Sequence, residues 1–325
     1  MQDKRIGVFV KMSKKTKAYF AATMYALIIG FSFMFVKLSL VASSPLDTLA
    51  HRFSIAFVIA TAIIVLKKIR LNVTKKDVCK ILPLALIYPT LFFTFQTFGL
   101  VYASSSEAGI ILATVPIFTL ILASVYLKEH TVPLQKVSVL LSVSGVIFIF
   151  VMNGADTGSQ NVKGIFLMLL SALTGAYNTV LARKLVQHYS FFTITYVMTF
   201  FGFIFFNIVA IGNHMITKTM HQFIEPFSSG TFIIAIVYLG ALSSLGTSFF
   251  SNYALSQIEA SKMSVFNNLA TLITIIAGVL FLNETIQSYH IFGTIIILLG
   301  VLGSNYNAKQ KSERAYAIPR QANED

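Results

Sequence analysis

The side chains able to do chemistry at depth in this chain are almost all uncharged. Gln96, Thr114, Tyr177, Asn178, Thr247, Asn268 and Thr271 each fall inside a long apolar run. Asn and Gln present donors and an acceptor from one amide, and a strongly polar group held idle in hydrocarbon is costly. Such a set suits a neutral or zwitterionic small-molecule substrate. The Ser and Thr residues carry a second reading, since small polar residues also let membrane helices pack closely. Pro116 adds a helix discontinuity, because its missing N–H leaves a backbone carbonyl for a ligand, a water or a neighbouring side chain.

His51 and Arg52 are the exception to this uncharged set. They lie ~10 Å into the second apolar run at 1.5 Å per residue. As a pair they can gate one side or contact a substrate charge. The plainer reading is that Arg52 snorkels or pairs with Asp47. The acidic residues sit at run ends or in tails, including Asp47, Glu107, Glu225 and Glu284 on one side and Asp77, Glu129 and Glu259 on the other. That distribution argues against a midplane carboxylate as a proton carrier. The sequence places no nucleophile beside a base, no paired acids and no metal-ligand spacing, so catalytic residues, metal and cofactor are all expected to be none. The single Cys79 can form no internal disulfide.

The elements that must position these groups follow from composition. Hydrophobic residues make up 56% of the 325 and charged residues 11%, with a mean hydropathy of +0.76. A soluble domain carries roughly 25% charged residues, so this is an integral membrane protein whose first partner is the lipid bilayer. The formal charge of +13 does not imply nucleic-acid binding, because the Lys and Arg are scattered between apolar runs rather than gathered on one soluble face.

Ten runs approach the roughly 20 residues that a helix needs to cross the hydrocarbon. They lie near 18–40, 46–66, 81–101, 107–127, 134–152, 164–183, 190–211, 231–252, 263–282 and 287–306. Only 212–230 is long enough for a sizeable outer loop. Lys4 through Lys17, the Lys67–Lys80 cluster, Arg183, Lys184 and the C-terminal cations fall on one side of this topology, against Lys163 and Lys218 on the other. The positive-inside rule then puts both termini in the cytoplasm. Lys37, at the outer end of the first run, reads as an interfacial anchor, and most Phe residues as lipid-facing or helix-packing bulk.

The chain also repeats itself. A shift of 155 residues places Thr119 on Thr274, Leu127 on Leu282, Glu129 on Glu284 and Gly145 on Gly300. Five helices per half is an odd number, so the second half must enter with inverted topology. The expected fold class is therefore an all-α integral membrane protein with ten transmembrane helices in two inverted five-helix repeats. Its expected parts are a basic cytoplasmic N-terminus (1–17), the first repeat (18–152), the second (164–306) and a polar cytoplasmic tail (307–325).

The runs Ala113-Thr114-Val115-Pro116-Ile117-Phe118, Leu127-Lys128-Glu129 and Ser144-Gly145-Val146 resemble the EamA repeat of the drug/metabolite transporter superfamily. So do Gly30 through Lys37, His51-Arg52-Phe53 and Ser171 through Asn178. The resemblance covers roughly 18–306. Two departures are Thr271 where the first copy has Pro116, and the absence of Trp. The resemblance implies a plasma-membrane secondary carrier of small organic metabolites, often an exporter of amino acids or related compounds. The implied cavity is lined by the first, third, fourth, sixth, eighth and ninth helices. A cationic or nucleoside-type substrate is the alternative cargo, a membrane-embedded enzyme or non-transporting membrane protein the alternative class. A homodimer stays open.

Overall fold

The computed structural model describes residues 13–69, 74–126, 133–157, 159–258 and 260–317. All regular structure among them is helical. The first helices begin on short hydroxyl side chains that cap them. Ser13 accepts from Thr16 N–H at the start of α1 (Lys14–Leu40), and Ser44 from Asp47 N–H at the start of α2 (Pro45–Leu66), where Pro45 fits the first turn. Thr74 and Asp77 form a reciprocal capping box on α3 (Lys75–Ala85).

The third apolar run is one span with a break in it. Between α3 and α4 (Phe92–Tyr102) lies a π-helical turn, Leu86–Leu91, in which Tyr88 leaves helical geometry at φ −137° and ψ 118°. Pro89 explains this, because a proline ring pushes the preceding residue into extended backbone. The fourth run is also divided, into α5 (Ser105–Leu112) and α6 (Val115–Tyr126), with a turn at Ala113–Thr114. Pro116 therefore sits in the first turn of α6, and the interruption precedes it.

Next come α7 (Pro133–Thr157), α8 (Ser159–Leu185) and α9 (Phe191–Thr217). Where an outer loop is expected over 212–230, α9 runs on to Thr217. Lys218 then turns the chain in left-handed geometry into a short α10 (Met220–Ile224) and a 3-10 turn. The eighth run is broken like the third: α11 (Gly230–Val237) and α12 (Thr247–Gln257) flank a π-helical stretch, Tyr238–Gly246. The broken spans Lys75–Tyr102 and Gly230–Gln257 are both 28 residues long and start 155 residues apart. α13 (Ala260–Leu282) and α14 (Ser288–Ala317) complete the chain. α14 continues helically past Asn307, where a polar tail is expected; residues 1–12 and 318–325 of the expected cytoplasmic ends lie outside the described set.

Among the described residues, seven helical spans are long and apolar enough to cross a membrane, and three shorter apolar helices, Lys136–Ile149, Leu269–Leu282 and Ser288–Gly300, accompany them. Val58, Val65, Leu66, Leu140, Ile208 and Leu280 point outward, as a lipid-facing belt requires. Inside, Phe53 stacks on Phe206 at 5.1 Å between ring centres and meets Phe93 edge-on at 5.4 Å, tying α2 to α9 and α4. α1 packs along α13 because its contact face is small. A Cβ on Gly30 would sit 2.6 Å from Ile273 Cβ, so only glycine permits that approach.

Candidate functional site

The centre of the bundle holds a cavity of ≈ 50 Å³. Since a buried water needs at least about 10–15 Å³ by this measure, it has room for a few waters. α1 gives it Tyr25, Ile29 and Phe33, the α3–α4 break gives Tyr88 and Phe92, and α5 and α6 give Gly109, Leu112 and Val115. Beyond residue 160 it is lined by Asn178 and Thr179 of α8, Met198 of α9, Ser248, Ser251 and Asn252 of α12, and Asn267, Thr271 and Thr274 of α13. Segments matching each other at the 155-residue shift thus line one space.

Its polar wall is hydrogen-bonded in parts and open in others. Tyr25 donates from its hydroxyl to Asn267 Oδ1 at 3.1 Å, and Asn252 donates to Thr195 Oγ1 at 3.0 Å. Thr271 donates to the Gly109 carbonyl at 3.0 Å and Thr274 to that of Gly30 at 2.8 Å, so these hydroxyls close helix–helix seams. The buried Asn178 Oδ1 has no partner. The wall therefore offers amide and hydroxyl groups together with apolar side chains, Ile29, Phe33, Phe92 and Met263 among them.

Of the sequence candidates, Asn178 and Thr271 line this cavity. Thr114 lies buried outside it and donates to the Ile111 carbonyl at 2.6 Å. Tyr177 meets Tyr126 edge-on at 5.2 Å, away from the cavity wall. Thr247 is fully buried, bonded to the Ser243 carbonyl. Gln96 is 1% exposed, and neither amide atom has a partner. The side chain of Asn268 is outside the described set, as is Glu129. Asn267 of α13 lines the cavity, in register with Thr271 and Thr274 at steps of four and three, which share a helix face. That spacing was the available signal. Tyr25, Tyr88, Ser251 and Asn252 carried none, being ordinary residues until the bundle turns them inward.

The charged pair separates. His51 Nε2 lies 2.8 Å from the Phe223 carbonyl, and its ring sits among Phe223, Phe227 and Phe232 beneath the α10 segment. Arg52 is fully buried and does not pair with Asp47. Asp47 instead meets His214 Nε2 of α9 at 2.9 Å. Arg52 Nε donates to Ser244 Oγ at 2.5 Å and Nη2 to Ser243 Oγ at 2.7 Å, both on the π-helical stretch. The guanidinium carbon is 3.9 Å from the centre of the Phe93 ring.

Near the end of α1 the two halves of the chain are tied together. α13 stops at Leu282 and Asn283 turns in left-handed geometry at φ 54°. Glu284 is thereby swung onto the start of α5, where it accepts from the N–H groups of Ser105 and Ser106 at 2.6 and 2.8 Å. Beside it His290 Nε2 is 3.4 Å from Glu107, and both line an open depression with Lys37.

A family model, the EamA-like transporter family, matches the chain twice, over residues 16–151 and 162–306. The chain belongs to the EamA-like transporter family. It is 51% identical to the uncharacterized transporter YcxC of Bacillus subtilis (strain 168), over 93% of this chain and 96% of that one. An uncharacterized transporter of Archaeoglobus fulgidus is 27% identical over 84% of this chain and 92% of its own. In fold, the chain is similar to a protein crystal structure at 16% identity, with a TM-score of 0.62, covering 90% of this chain and 98% of that one. As an EamA-like protein with several apolar spans, the chain is a multi-pass membrane transporter, and the central cavity lies where its two family-matched segments meet.

Proposed function

We propose that this EamA-like protein is a secondary carrier that exports small neutral or zwitterionic, amino-acid-like metabolites across the plasma membrane by alternating access. The observation that carries the reading is the shared cavity: the first family-matched segment lines it with Tyr25, Tyr88 and apolar side chains, and the second with Asn178, Asn252, Asn267 and several hydroxyls. Inverted repeats place solute sites at such an interface, often beside interrupted helices. The π-helical break at Leu86–Leu91 gives Tyr88 to this cavity, and its counterpart at Tyr238–Gly246 leads directly into α12, which lines it.

In this reading the chain crosses ten times, the three shorter apolar helices included. Residues 18–152 and 164–306 form two five-helix halves of opposite topology, and both termini face the cytoplasm. The Glu284 seal then lies on the outer side. Gln96, Thr114, Tyr177, Thr247 and Asn268 belong to the proposed substrate path around Asn178 and Thr271, with His51 and Arg52 toward the outer gate. The preference for zwitterions rests on the uncharged polar wall, which offers no carboxylate to hold a lone cation.

Counterflow in proteoliposomes tests this. A panel of labelled amino acids, choline and nucleosides is offered to the parent protein and to Asn178→Ala. Accumulation of an amino acid by the parent, weakened in the variant, is the expected result. Background signal for every solute with folded protein would sink the carrier assignment, while uptake of choline or nucleosides alone would replace the cargo.

A further inference from the structure

The contact between α2 and α4 is flanked by polar atoms that have no partner among the described residues. Arg52 Nη1, both amide atoms of Gln96, Thr97 Oγ1 and Thr48 Oγ1 are all buried and unbonded. They share one region. Arg52 lies over the ring of Phe93, Gln96 and Thr97 follow Phe93 by one helical turn, and Thr48 precedes Arg52 by one turn. Among the described residues, no carboxylate comes within ion-pair distance of Arg52. A guanidinium at 0% exposure without a counter-ion is expensive in a membrane protein, and such groups mark sites of function by default.

The groups that are satisfied orient those that are not. Ser243 and Ser244 fix two of the three guanidinium nitrogens and leave Nη1 as a directed donor. Gln96 adds a neutral amide donor. Planar Arg geometry matches a carboxylate, and a charge-assisted hydrogen bond is about twice as strong as a neutral one. Tyr88, in the cavity wall, links the cavity to the α2–α4 seam through Phe93. Its ring is 5.1 Å from that of Phe93, on which the Arg52 guanidinium lies. Tyr88 sits on one π-helical break and the two serines on the other. Such breaks are frequent at functional sites and give this wall a place to yield.

We infer that Arg52 and Gln96 form a carboxylate subsite, so that the transported solute must carry a carboxylate, taken up by Arg52 Nη1 and the Gln96 amide when the Tyr88 wall moves. This rests on the carrier reading above and narrows it: a permanent cation or an uncharged nucleoside does not satisfy the site. Asn178, Asn267 and Tyr25 then face the rest of the solute in the cavity.

The test is counterflow by the full chain with paired probes that differ only in the carboxyl group: L-leucine against isoamylamine, L-serine against ethanolamine, L-phenylalanine against phenethylamine. The parent should carry at least one acid and leave its amine at background. Gln96→Leu should lower that uptake at least about tenfold with the thermal midpoint unchanged or raised, since a buried unbonded amide gives way to an apolar group of similar size. A purely structural Gln96 would instead lose stability and keep uptake, which overturns the subsite. Arg52→Lys, which keeps the charge and loses the planar fork, should weaken the acid more than tenfold without admitting the amine. Equal carriage of acid and amine, or of amines alone, overturns the inference and leaves the carrier standing. Silence toward every probe here and in the wider panel removes the carrier reading itself.

Discussion

Ser106 and Glu284, 178 residues apart, are joined twice: the Ser106 N–H reaches Glu284 Oε2 at 2.8 Å and its hydroxyl reaches the same oxygen at 2.6 Å. With the Ser105 N–H on Oε1 at 2.6 Å, the carboxylate caps a helix from the other half of the chain. In the carrier reading this cap is the outer closure of the cavity. Bonds to a charged acceptor contribute about 1.5–3 kcal/mol each. Glu284→Gln keeps the shape and removes the charge, and should open that face. In a Cys79→Ser background, a cysteine at Leu112, which lines the cavity, should react faster with an impermeant maleimide applied outside cells. An unchanged rate would mean that Glu284 does not hold the closure.

Gly278 shares that latch. A Cβ there would run into Glu284 Oε2 and Ser106 Oγ, so Gly278→Ala should displace the carboxylate and raise the same labelling rate. The double variant with Glu284→Gln should add little, because both changes break one contact. Additive rates would argue against a common latch.

Asp47 and His214 form a buried contact at 2.9 Å, with side chains 5% and 6% exposed. His214→Ala leaves Asp47 with Ser44 alone among its described side-chain partners. Breaking a buried pair costs about 3–5 kcal/mol, and a large drop in the thermal midpoint of purified protein should follow. Asp47→Asn with His214→Gln, which can bond without charge, should recover much of it.

The register of α13 gives a test of the cavity. Asn267→Leu removes the acceptor of Tyr25 from the cavity wall and should abolish counterflow of any solute the parent carries. Asn268→Leu, one register position on, should reduce it less. The reverse order would mean that α13 is rotated in the transporting state.

Gly30→Leu forces a side chain into the space of Ile273 and the Ala270 carbonyl. Overpacking of this kind costs about 1–3 kcal/mol, visible as a lowered thermal midpoint, whereas Gly212→Leu, which meets nothing within 4 Å, should leave it unchanged.

The sequence by itself determined the solvent and the kind of protein. Long apolar runs can satisfy their backbone in lipid only as helices, and the copied pattern from Thr119 to Thr274 carried the family. It also marked Asn178 and Thr271, because a polar group inside an apolar run stands out without coordinates. Tertiary structure decided partners. Arg52 had Asp47 five residues away and took Ser243 and Ser244 instead, while Asp47 took His214. Glu284, at the end of its own apolar run in the sequence, caps α5. That Asn267 faces the cavity needed a helix phase, and the breaks at Tyr88 and at Tyr238–Gly246 needed a backbone. Periodicity along a chain fixes what each residue is near in sequence, and the crossing of helices fixes what it touches. In a bundle whose cavity draws on both halves, the second relation assembles the site.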